Sequence, residues 1–314
     1  MKKHFQHFTL NSPLNDILNH PAFLDFGPLI LPTTQQFYDD KTTIKHIEEL
    51  MPLHSCINAT NILKSLNAMI DLRREGYNLF YRFYSDKDIE LDPTKNNTGL
   101  FFFKGKPEAN WLLICPGGAF QYVASLHEGF PYAVHFKKYN FNVFVLRYRT
   151  GSLEDATADL AAAAAWILSR ANKFRLKATD WSLWGSSAGA NIAAAFSAKG
   201  FAAYGLPDAP KPAALLFQYA VIDDFGAQDP PSFTVVGALD RRANPTDVVA
   251  CENARVQAGL RTRHMIFPDV GHGFGLGLGT PAEDWIDLAV MFWQACIAAA
   301  ALGIRSHPLF DSRR

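Results

Sequence analysis

The chain has 314 residues, 48% of them hydrophobic, enough to bury a large core as one α/β domain or two smaller ones. Its 30 basic and 30 acidic residues cancel, and without a basic stripe or an acidic tail no nucleic-acid partner is expected. The N-terminus carries charge without an apolar h-region, no run of 18 apolar residues occurs, and Cys56, Cys115, Cys251 and Cys296 are scattered, so the expectation is a cytoplasmic chain with free thiols, no secretory signal and no membrane insertion.

Residues 1–75 carry helical pieces, Ile44–Leu50 and Asn61–Arg73, broken by prolines at 13, 21, 28, 32 and 52. We expect a helical segment that caps the active site or, alternatively, a packing arm on the far side of a sheet, with residues 76–314 forming the catalytic domain. From residue 78 onward strands and helices alternate. Leu79–Tyr84 and Leu100–Phe103 read as an antiparallel pair around the polar turn Asp92–Asn97. Trp111–Cys115 is a continuous apolar strand ending in Pro116-Gly117-Gly118-Ala119-Phe120. A helix near Tyr132–Tyr139 leads to a strand over Phe141–Leu146. Residues 153–173 form the clearest helix, with Glu154 and Asp155 in its first turn and Arg170 and Lys173 in its last, as the macrodipole prefers. Further strands are expected over residues 180–184, 213–217, 233–236 and 264–267, and a last helix over Glu283–Ala301. Continuous apolar strands between helices imply a mostly parallel sheet covered on both faces, with chemistry at the carboxyl ends of its strands.

At one such end stands Gly185-Ser186-Ser187-Ala188-Gly189. Gly-x-Ser-x-Gly arises by chance in roughly one chain in ten of this length, so its partners decide its meaning. Between a strand and a helix it reads as a strained elbow that leaves Ser187 exposed above a helix N-terminus. A serine hydroxyl needs a base within reach, and the base needs an orienting acid. In chain order the acid precedes the histidine. Asp240 follows the strand at 233–236, and His272 follows that at 264–267, each in a loop beyond a strand end. Asp223 and Asp224 are rivals for the acid; His127 and His264 are rivals for the base. Gly117 and Gly118 can turn backbone N–H groups toward a substrate oxygen, and with the N–H of Ala188 would form an oxyanion hole. Phe120 and Phe274 would border the acyl pocket or, equally, pack in the core. No Cys/His cluster has zinc spacing and no glycine run fits a phosphate-binding motif, so neither metal nor cofactor is implied.

From Leu79 to Ala301 the chain resembles the α/β-hydrolase esterase/lipase superfamily. The resemblance rests on Pro116–Phe120, Gly185–Gly189, Asp240 and Gly271-His272-Gly273-Phe274. Several such esterases carry His-Gly-Gly-Gly at the oxyanion loop, where this chain has Pro116 for the histidine and Ala119 for the last glycine. The run 271–277 and Glu128-Gly129-Phe130-Pro131 are most similar to acetyl-ester hydrolases. The resemblance implies an α/β-hydrolase fold with a mostly parallel eight-stranded sheet, and a serine esterase of short-chain acyl esters. Its partner would be a small-molecule ester. An amidase or peptidase on the same residues, and a hydrolase fold kept as a binding module, are the alternatives.

Overall fold

The computed structural model describes residues 5–34, 38–39 and 41–303; Met1–His4, part of the stretch on which the expectation of no secretory signal rests, and 304–314 of the expected catalytic domain lie outside them. Eight strands form one sheet: β1 (Phe80–Tyr81), β2 (Gly99–Phe103), β3 (Trp111–Cys115), β4 (Asn142–Arg147), β5 (Ser182–Ser186), β6 (Ala214–Gln218), β7 (Ser232–Gly237) and β8 (Thr262–Phe267). Their spatial order is β1-β2-β4-β3-β5-β6-β7-β8. β2 pairs antiparallel with β1 and β4; from β4 to β8 every pairing is parallel. Strands β2 to β7 are buried along their whole length, which is why they read as unbroken apolar runs.

The expected pair at 79–84 and 100–103 is antiparallel, but β1 is only two residues long and the connection holds a helix, Asp86–Leu91, closed by a Ser85–Asp88 capping box. The helix expected over 153–173 is two. The longer, α1 (Leu153–Leu168), starts at Ser152, whose side chain accepts the Asp155 N–H, and Ala171–Phe174 follows as a separate turn.

Two apolar layers sandwich the sheet. On one face lie α1 and α2 (Ala188–Lys199), whose alanines and Ile192 pack on β3, β5 and β6. The other face carries Ala59–Arg74, Phe130–His135 and α3 (Trp285–Ala301), and its core continues without a break into the N-terminal segment through Leu14, Ile17, Phe23, Ile30, Ile44 and Ile47. Arg147, buried at the end of β4, donates to the carbonyls of Leu31 and Pro32 at 2.8 and 3.0 Å. Cys115 and Cys296 are buried, Cys251 is half-buried and Cys56 is exposed; all four are free thiols. No helix among the described residues is long and apolar enough to cross a membrane.

Candidate active site

The register puts the carboxyl ends of β3, β5, β6, β7 and β8 side by side. Ser187 caps α2 at the end of β5 with φ 50° and ψ −121°, a conformation an L-residue adopts only under constraint. The constraint is visible around it. A Cβ on Gly185 would lie 2.5 Å from the Ala190 Cα, and one on Gly189 would lie 1.9 Å from the Cys115 carbonyl oxygen. Both glycines are therefore required by close backbone approach, as the motif implies.

Ser187 Oγ lies 3.0 Å from His272 Nε2, and His272 Nδ1 lies 2.8 Å from Asp240 Oδ2. Asp240 is buried, and its other oxygen accepts the backbone N–H groups of Arg242 and Ala243, both at 2.8 Å. These bonds hold the carboxylate's position and leave one oxygen for the imidazole. The arrangement can take the serine proton onto Nε2 while Asp240 balances the charge on the ring. Ser187, Ala188, His272, Gly118, Ala119, Phe120, Leu53, His54, Asn191 and Arg242 line a cavity of about 280 Å³.

The rivals fall elsewhere. Asp223 and Asp224 are exposed in the loop after β6. His264 sits within β8, where burial lowers its pKa. His127 is buried and bonds the Gly273 carbonyl through Nε2 at 2.9 Å, and burial, then the charge on His54, pushes its pKa down to about 4. It supports the His272 loop as a neutral ring.

Two expected site residues take other places. Gly117 does not turn its N–H toward the cavity; it donates to Glu128 Oε2 at 2.5 Å. The position also requires glycine, since a Cβ there would lie 2.7 Å from the Ser186 carbonyl oxygen and 3.0 Å from the Ser187 Cβ. The following residues line the cavity in left-handed geometry, Gly118 at φ 129°, Ala119 at 52° and Phe120 at 57°. Phe274 is fully buried, its ring edge-on to Tyr219 with centroids 4.9 Å apart, so it is core and not pocket wall. Phe120 does line the cavity.

Several residues at the site escaped the sequence reading. Gln218, at the end of β6, accepts Tyr132 and Ser186 hydroxyls at 2.7 and 2.9 Å and donates to the Gly275 carbonyl at 2.8 Å. Ser55 donates its hydroxyl to the His272 carbonyl at 2.6 Å and its N–H to the Gly273 carbonyl at 3.0 Å. Glu128, in a π-helical turn over Ser125–Gly129, is fully buried. It accepts the Tyr219 hydroxyl and faces His54 Nε2 at 2.9 Å. Burial alone would raise its pKa, but the close approach of His54, then His127 and the Tyr219 hydroxyl, hold it below the usual carboxylate range. One signal for Glu128 was present: a carboxylate inside Leu126–Tyr132, a stretch otherwise apolar but for His127, needs a buried partner. Nothing in the sequence pointed to His54 or Ser55. Among the described residues no group of three or more His, Cys, Asp or Glu is placed to hold a metal ion.

Neither a scan against protein-family profiles nor a search of curated proteins returns a match. Solved structures do match. The carboxylesterase Cest-2923 from Lactobacillus plantarum WCFS1 superposes with a TM-score of 0.55 at 20% identity, over 63% of this chain and 92% of that one. An acetyl ester-xyloside bifunctional hydrolase from Caldicellulosiruptor lactoaceticus gives 0.58 at 17%, over 72% and 96%. A thermophilic esterase from the planctomycete Thermogutta terrifontis gives 0.56 at 16%, over 72% and 92%. With its strand order, its single antiparallel strand next to the edge and these structural neighbours, the chain has the α/β-hydrolase fold.

Proposed function

We propose that the chain is a serine carboxylic-ester hydrolase that acts on short-chain, acetyl-type esters through an acyl-enzyme. The observation that carries this reading is the hydrogen-bonded line Ser187–His272–Asp240, with steps of 3.0 and 2.8 Å, opening into a cavity at the sheet's carboxyl edge. Ser187 attacks the ester carbonyl as His272 takes its proton. His272 returns that proton to the leaving alcohol, and a water activated by the same imidazole releases the acid. The Gly118–Ala119 turn and the Ala188 N–H at the start of α2 supply the oxyanion donors, where losing one typically costs about 3–4 kcal/mol of transition-state stabilisation. A cavity of about 280 Å³ is at the small end for ligand sites, which supports a short acyl group bordered by Phe120. The names of the structural neighbours, esterases and an acetyl ester hydrolase among them, support the same chemistry.

The test is turnover of p-nitrophenyl esters from acetate to decanoate, with matched anilides beside them. Acetate and propionate are expected to lead, with anilides far slower. Ser187→Ala should abolish turnover and labelling by a fluorophosphonate while leaving the thermal melt unchanged. Labelling that persists in Ser187→Ala removes this serine from the chemistry; an unreactive wild-type serine favours a binding module.

A further inference from the structure

The N-terminal segment reaches the site through His54, one of the residues that line the cavity holding Ser187 and His272. Its Nδ1 lies 2.9 Å from the Tyr122 hydroxyl, which also accepts the Leu53 N–H at 3.1 Å. Its Nε2 lies 2.9 Å from Glu128 Oε1. With the ring neutral, Tyr122 donates to Nδ1 and the ring proton sits on Nε2; with the ring charged, both nitrogens donate. In either state Nε2 carries a proton 2.9 Å from the carboxylate oxygen, a close charge contact rather than an aligned hydrogen bond. The remaining partners of Glu128 are the Gly117 N–H on its other oxygen and the Tyr219 hydroxyl, whose ring stands 4.9 Å from that of His272. One carboxylate thus ties together the oxyanion turn, the residue that packs on the candidate base, and a histidine from outside the sheet domain.

That carboxylate is a liability to the chemistry proposed above. It is fully buried and bonded to the residue that begins the oxyanion turn. A bare negative charge there opposes the negative charge that develops on the substrate oxygen, in surroundings where Coulomb terms are weakly screened. We propose that His54 is a positioning residue of the acyl-transfer site: by pairing with Glu128 it fixes the Gly117 turn and shields the reacting oxygen from the carboxylate. The site is then complete only with residues 53–55 in place, since Ser55, the next residue, clamps the His272 and Gly273 carbonyls. This inference rests on the ester-hydrolase reading.

The experiment compares the full-length wild type with His54→Phe, Glu128→Gln and the double variant, on p-nitrophenyl acetate. His54→Phe should lower kcat about 30-fold or more, with KM within about threefold, a loss of the size seen when oxyanion stabilisation is impaired. Adding Glu128→Gln removes the unshielded charge, so the double variant should recover about tenfold over His54→Phe. A packing role for His54 predicts the reverse, with the two losses adding or deepening. If His54→Phe does not fold, Tyr122→Phe deletes only the hydroxyl that orients the imidazole; it should lower kcat about three- to tenfold, and not at all on a Glu128→Gln background. Wild-type kcat in His54→Phe, or a loss that Glu128→Gln fails to lessen in either background, overturns the inference and leaves the esterase reading standing. A wild-type protein that neither turns over esters nor reacts with a fluorophosphonate overturns both.

Discussion

Asp240 decides which nitrogen of His272 carries a proton, and that makes it more than a spectator of the serine. One of its oxygens is held by two backbone N–H groups, so the other has no choice but to accept from Nδ1. An asparagine would keep its oxygen on those N–H groups and turn its amide toward the ring. Nδ1 would then have to accept, the proton would move to Nε2, and the ring could no longer take the serine proton. Asp240→Asn should lower kcat roughly 10³- to 10⁴-fold with an unchanged fold, read by steady-state kinetics beside a thermal melt; a loss under tenfold would remove the orienting role. A second buried acid acts on stability instead. Burial pushes the Glu252 carboxyl up to about 7, against the Thr234 hydrogen bond and the Arg255 charge. Because its folded-state pKa is raised, the folded protein binds this proton more tightly than the unfolded chain does. The stabilisation is complete below the ordinary carboxylate range and is lost as pH rises toward and past 7. Glu252→Gln abolishes this term. The variant should therefore gain on the wild type between pH 5 and pH 8, by on the order of 1–3 kcal/mol, measured as the change in melting difference between the two pH values; a difference that does not move with pH would show that the carboxyl is not the titrating group.

At the scale of elements, the loop from Val270 to Gly277 carries the candidate base and is held by donors from four places. His127 and Ser55 bond the Gly273 carbonyl, and Gln218 and the Trp285 indole bond that of Gly275. Its glycines are not equivalent. A Cβ on Gly271 meets nothing within 4 Å, whereas Gly273 has φ 72° and a Cβ there would lie 2.7 Å from the His54 Cα. Gly271→Ala should keep activity within about twofold and stability within about 1 kcal/mol. Gly273→Ala combines left-handed strain of about 1–2 kcal/mol with a backbone clash, and should lose most activity and melt earlier. Equal behaviour of the two variants would mean that the loop does not rest on the N-terminal segment. The sequence made this loop readable only in part. Ser187, Asp240 and His272 could be found because each follows an apolar strand whose end is marked by local chemistry, a glycine elbow or a turn. The strands themselves could be found because burial on both faces leaves β2 to β7 mostly apolar. Gly117 was misassigned for the opposite reason. Its N–H looks free in a Gly-Gly turn, and only the fold brings in the carboxylate of Glu128 that claims it. For Phe274 pocket wall and core stood equally open, because an aromatic beside the candidate base gives no local sign of which side it faces.

On the scale of the whole molecule, the division at residue 75 is a division of sequence pattern that the packing does not repeat. Leu14, Ile17, Phe23, Ile30, Ile44 and Ile47 are all fully buried, in one core with Phe101 and Phe130 of the sheet domain. Phe26 stacks on Phe80 of β1 with centroids 5.2 Å apart and meets Phe101 edge-on at 5.7 Å. The same segment then crosses to the cavity and supplies Leu53 and His54 to its wall. A cap that only screened substrate could be removed and leave a folded, less selective enzyme. This segment should not be removable. Burying six such side chains contributes about 1.5–3 kcal/mol each, and the apolar surface they cover would remain on the truncated body, exposed to water. A chain beginning at residue 76 should therefore be recovered aggregated or without a cooperative melt, and should not turn over p-nitrophenyl acetate. Supplying residues 1–75 as a separate polypeptide during refolding should restore both, because what the body lacks is a covered core face and the contacts at Leu53–Ser55. A truncated chain that melts cooperatively and keeps its turnover would show that the sheet domain stands alone, and would return the segment to the role of a dispensable lid.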